Sequence, residues 1–143
     1  MAVYTTIDNP ELYFQVKLYT GNGSTQSITL DGDENMQPDL VWIKERNSTS
    51  SHAITDSVRG TTKKLKSDGN DVEETNTNLI TSFDSDGFSL GDNGNSNQSA
   101  SQTYVAWCWK AGTSFSNDAS ATSVGSVDST GSINTTAGIS IMS

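Results

Sequence analysis

Leu79-Ile80-Thr81-Ser82-Phe83-Asp84-Ser85-Asp86-Gly87-Phe88-Ser89-Leu90 places two apolar runs on either side of an Asp-Gly turn. Short alternating runs flanking such a turn are the strongest local signature of an antiparallel hairpin. The same two-residue period recurs outward from it. In Phe14-Gln15-Val16-Lys17-Leu18-Tyr19 the residues Phe14, Val16 and Leu18 share one face, as expected of a half-buried strand. Thr20-Gly21-Asn22-Gly23-Ser24 breaks that strand, and Ser27-Ile28-Thr29-Leu30 returns before Asp31-Gly32-Asp33 closes it.

Pro38 resets the chain ahead of Asp39-Leu40-Val41-Trp42-Ile43-Lys44. Both faces of this run are apolar, so it is expected deep in a sheet. His52-Ala53-Ile54 starts another strand, and Tyr104-Val105-Ala106-Trp107-Cys108-Trp109-Lys110 is the last strong one. Thr61 to Thr77 is polar and reads as a long loop with a weak strand near Lys64-Leu65. About seven short strands between turns predict an all-β, antiparallel β-sandwich of jelly-roll or concanavalin-like kind. Its expected core is Phe14, Val16, Leu18, Val41, Ile43, Phe83, Phe88, Val105 and Trp107.

After Lys110 the composition changes. Residues 113–136 are mostly Ser, Gly, Thr, Asn and Ala, with Phe115 the one large aromatic among them. Such a stretch buries too little surface to offset its conformational entropy and reads as an extended linker behind a module at 1–112. Residues 137–143 resume alternation as a terminal strand or the start of a further module. Ile139, Ile141 and Met142 would be wasted on solvent, so they are expected to contact other chains, with backbone pairing in a homo-trimer as the leading arrangement.

The 143 residues carry a net charge of −9. That balance excludes nucleic acid and anionic membrane surfaces as natural partners, because Lys and Arg for counterion release are scarce. No apolar run is long enough to span a bilayer, and Met1 to Thr5 lacks the basic and apolar regions of a signal peptide. Cys108 is the only cysteine, so no intrachain disulfide forms, and its apolar flanks predict a buried small hydrophobe.

His52 is the only histidine and has no triad or zinc-ligand spacing around it. Asp31, Asp33, Asp84 and Asp86 are the candidate calcium ligands, since loop carboxylates are the hard oxygen donors that ion prefers. The same residues are favoured turn formers, and Asn95 stands where a calcium loop opening at Asp84 needs its closing Glu. No cofactor, obligatory metal or enzymatic activity is expected. The basic trio Lys63, Lys64 and Lys66 reads as a solvated strand face or as local ion pairs. Trp42, Trp107, Trp109 and Tyr104 have two readings, core bulk or a platform for sugar rings.

Six ordered segments resemble a family of tail and appendage proteins of marine bacteriophages, cyanophages included. They are Met1-Ala2-Val3-Tyr4-Thr5-Thr6-Ile7-Asp8-Asn9-Pro10, Tyr13 to Gly23, Gln37 to Lys44, Asp56-Ser57-Val58-Arg59-Gly60, Phe83-Asp84-Ser85-Asp86-Gly87-Phe88 and Tyr104 to Gly112. The resemblance implies a virion structural role and a tandemly repeated module ahead of Ser/Gly-rich linkers. Its members are made in the bacterial host cytoplasm and assembled into the virion with other phage proteins. An N-terminal module followed by a linker is expected to anchor a tail fibre to the particle. A receptor-binding module for host glycans or surface proteins, and a capsid decoration protein, remain the alternatives.

Overall fold

The computed structural model describes residues 7–143; the resemblance drawn from Met1 to Thr6 lies outside them. Twelve strands, one 3-10 turn (Pro10–Leu12) and one short helix make up the described residues. Every strand pair is antiparallel.

The four-stranded sheet runs β1 (Phe14–Thr20), β9 (Thr103–Trp109), β3 (Leu40–Glu45) and β4 (Ala53–Asp56) in that spatial order. A second sheet holds β2 (Gln26–Thr29), β8 (Gly87–Leu90) and β7 (Ile80–Asp84). β7 and β8 are the two arms of the Asp-Gly hairpin, with Asp84 opposite Gly87 and Phe83 opposite Phe88. β5 (Lys63–Lys64) and β6 (Glu74–Thr75) form a small ladder, β5 at the weak strand expected near Lys64-Leu65 and β6 in what the sequence presents as loop.

One hydrophobic cluster joins the four-stranded sheet and the β2–β8–β7 sheet. Tyr19, Val41, Ile43, Ala53, Tyr104, Ala106 and Cys108 come from the first, Ile28, Ile80, Phe88 and Leu90 from the second. Loop residues Leu30, Met36 and Leu79 complete it. Of the expected core, Val41, Ile43 and Phe88 are fully buried, and Phe83 packs against the cluster half-buried.

Phe14, Val16 and Leu18 do not join it. They are 38, 44 and 55% exposed, and Val105 and Trp107, their partners in register, are only half-buried. The inward face of β1 is instead Gln15, Lys17 and Tyr19. Gln15 is buried because backbone satisfies its amide at three points: Nε2 donates to the Glu11 and Glu34 carbonyls, and Oε1 accepts from Gly32 N. Lys17 pairs with Asp31. Tyr19 donates its hydroxyl to the Ser96 carbonyl at 2.7 Å and stacks on Tyr104. A buried polar group is tolerated where its partners are fixed, so the polar side of β1 turns inward to tie down two loops.

Residues 113–136 are not an extended linker. β10 (Thr113–Asn117), β11 (Ser129–Asn134) and β12 (Ile139–Met142) form a third sheet, with α1 (Ala119–Thr122) between its first two strands. The backbone groups that a linker leaves to water are paired strand to strand here. Phe115 lies opposite Gly131 in register, and a Cβ there would sit 2.6 Å from its ring, so the missing side chain makes room for the one aromatic of this sheet. Asp118 caps α1 by accepting from Ala121 N, and hydrogen bonds from the Ser120 hydroxyl and from Ala121 N hold its carboxyl below the usual range.

A latch fixes the junction between module and third sheet. The Asp39 carboxylate accepts from Ala111 N and Gly112 N, both at 2.9 Å, and from the Ser57 hydroxyl at 3.0 Å. Ile139, Ile141 and Met142, the residues expected to reach another chain, lie in β12, which pairs with β11 of its own chain. Ile141 is buried, Ile139 half-buried and Met142 65% exposed.

Candidate interaction face

The outer side of the four-stranded sheet collects what β1, β9, β3 and β4 do not turn inward. Strand register sets its rows. Val16 opposes Trp107, Trp107 opposes Trp42, and Trp42 opposes Ile54. An isolated bridge from Ile54 to Leu65 carries this row one strand position further. On one side run Phe14, Trp109 and Leu40; on the other run Leu18, Val105 and Lys44. Directly opposed side chains on one sheet face touch, which is why alternating sequence becomes a continuous surface.

The rings are held in defined orientations. Trp42 and Trp107 meet edge to face with centroids 5.6 Å apart, and Phe14 lies 5.0 Å from Trp109. Trp42 Nε1 donates to His52 Nδ1 at 2.7 Å. His52 thus serves as the fixed acceptor for a tryptophan. This accounts for the lone histidine at the start of β4.

All three tryptophans of the chain lie here, half-buried, while Tyr104 alone of the four aromatics is in the core. Burial raises the Tyr104 hydroxyl above its ordinary pKa. The face is nearly uncharged. Lys44 donates to the Glu45 and Ser48 carbonyls, and Asp56 at the corner beside Leu40 is held by Arg59. In a protein of net charge −9, this broad apolar patch with so little charge is the candidate interaction surface.

The calcium candidates are dispersed. Asp31 pairs with Lys17, and Asp33 sits in the same loop with its backbone N–H donating to Glu11. Asp84 accepts from the hydroxyls of Ser82 and Ser89, both at 2.7 Å, and Asp86 accepts from Met36 N. These carboxylates lock the hairpin and its neighbouring loop. Among the described residues no group of three or more His, Cys, Asp or Glu is placed to hold a metal ion.

The basic trio forms local ion pairs along the β5–β6 ladder. Lys64 and Lys66 both reach Glu74 at 2.6 Å, Lys66 reaches Asp71, and Lys63 lies 3.5 Å from Glu73. Hydrogen bonds from Lys64 and Lys66 hold the Glu74 carboxyl below its ordinary pKa. Sequence reasoning passed over Asn97, which is fully buried. It accepts from Asn22 N at 2.7 Å and donates to the Gly91 carbonyl at 2.9 Å, joining two loops. An Asn in a polar run carries no signal of this; only its contacts reveal it.

Cys108 is fully buried, and burial pushes its thiol up to about 12. Since the thiolate is the reactive form, an alkylating reagent at pH 8 is expected to leave the native protein unlabelled and to modify one site after denaturation. Mass spectrometry of both samples checks this, and rapid native labelling would contradict the packing.

No curated protein and no solved structure matches the chain. A family described as "Domain of unknown function (DUF7483)" matches residues 9–143, taking in the three larger sheets and the β5–β6 ladder together. The chain belongs to that family.

Proposed function

We propose that this chain is a non-enzymatic structural module of a bacteriophage virion appendage, anchoring a tail fibre or similar part to the particle. The observation that carries the reading is the aromatic outer face of the four-stranded sheet, a surface fitted to assembly on an otherwise acidic protein. The six-segment resemblance to phage appendage proteins supports the setting. The finer fold belongs to the same proposal: the four-stranded sheet and the β2–β8–β7 sheet, sharing one core, form a β-sandwich of jelly-roll or concanavalin-like kind. Its partners are other virion proteins and further copies of itself.

Particles of the encoding phage supply the test. Antibody against the chain should label the tail or its appendages in electron micrographs, and its peptides should persist in digests of gradient-purified virions. Purified particles that lack both refute the proposal. A second reading, host-receptor binding, draws on the half-exposed tryptophans. It predicts label at the distal tips and binding of the isolated chain to host cells.

A further inference from the structure

We infer that the outer face of the four-stranded sheet is a self-association surface, on which a second copy of this chain stacks through the same face. This goes beyond a place in the virion and does not depend on one.

Size comes first. The central row from Val16 to Leu65 is five strand positions wide. At ~4.8 Å per strand and ~3.3 Å per residue, strands of seven, seven, six and four residues cover about 400 Å² in plan. Two stacked faces therefore remove about 800 Å² in plan, against the roughly 1,000 Å² that a specific interface needs. Protruding side chains, with Leu18 at 55% and Val16 at 44% exposed, add to the plan figure.

Chemistry then selects the occupant. A charged partner finds little to engage, because Lys44 is spent on backbone carbonyls and Asp56 on Arg59. A sugar needs side chains to pair its hydroxyls, and the three rows are otherwise hydrocarbon and aromatic ring. Hydroxyls buried there would lose water without replacement. What fits a flat apolar sheet face is another flat apolar sheet face, packed about 10 Å away. A second copy supplies one, related by a two-fold axis that makes the contact self-complementary. Although each chain carries −9, the three rows contain no carboxylate, and Asp56 at their corner is buried.

Sedimentation equilibrium of the full chain tests this, run alongside tryptophan fluorescence over the same dilution series. The expected species is a dimer of the 15.2 kDa chain. Because every tryptophan lies on this face, dilution should shift the emission to the red as the dimer parts. Leu18→Lys, at an exposed position outside the core, should keep the parent circular dichroism and weaken the dimer at least tenfold, because it sets an unpaired charge in the apolar contact. A monomer at all concentrations overturns the inference. So does a trimer, a dimer indifferent to Leu18→Lys, or emission that is unchanged as the dimer dissociates. Should the variant unfold, the dilution series on the parent chain decides alone.

Discussion

Ile43→Asp abolishes cooperative folding. Ile43 is fully buried in the centre of β3, and its neighbours in register are Ala53 on β4 and Ala106 on β9. Neither can hydrogen-bond a carboxylate. The nearest cation along that row is Lys17, two strands away and already paired with Asp31. Losing the isoleucine packing costs about 2–5 kcal/mol, and an unpaired carboxylate in the same space adds several more. The sum is comparable to the whole stability of a domain, roughly 5–15 kcal/mol. Thermal denaturation followed by near-ultraviolet circular dichroism should show no transition for Ile43→Asp, while Ile43→Ala melts cooperatively below the parent. A cooperative melt of the aspartate variant near the parent temperature would place Ile43 outside the core.

Gly87→Ala lowers the melting temperature by about 10 °C, the equivalent of roughly 3 kcal/mol for a chain of this size. Two effects add at this glycine. Its φ of 121° lies where L side chains are strained. Gly87 also lies in the middle strand of its sheet, and a Cβ there would stand 2.0 Å from the Ile28 carbonyl oxygen, so β2 and β8 would have to separate. Gly60 separates the two causes. It has a φ of 95° but open space where its Cβ would be, so Gly60→Ala should show the strain without the collision. Equal losses for the two variants would rule out the steric part of the argument.

The aromatic face exists because β1 is placed inside out. Alternation shows that a strand has two unlike faces; it does not show which one the rest of the chain will cover. On β9 one face offers Tyr104, Ala106 and Cys108, the other Val105, Trp107 and Trp109. Either could serve a core. The second sheet brings Phe88, Leu90 and Ile80 to the first, and opposite such bulk the smaller Ala106 and Cys108 pack closely. Once β9 is so turned, register forces Phe14, Val16 and Leu18 outward with Trp109, Trp107 and Val105. Gln15 and Tyr19 then go inward, where the Glu11, Glu34 and Ser96 carbonyls receive them.

What the sequence determined by itself is local. Period-two alternation set the strands of the module, Asp-Gly set the β7–β8 hairpin, and the apolar flanks of Cys108 set its burial. These follow from backbone geometry and hydrophobicity within a few residues. Only the tertiary structure decided which face of β1 and β9 is buried, since that depends on the bulk of another sheet. It also decided that residues 113–134, poor in apolar side chains, pair into strands, because their order comes from backbone partners, the Phe115–Gly131 contact and the Asp39 latch. Composition counts side chains, whereas those contacts are made by backbone and by residues distant in sequence.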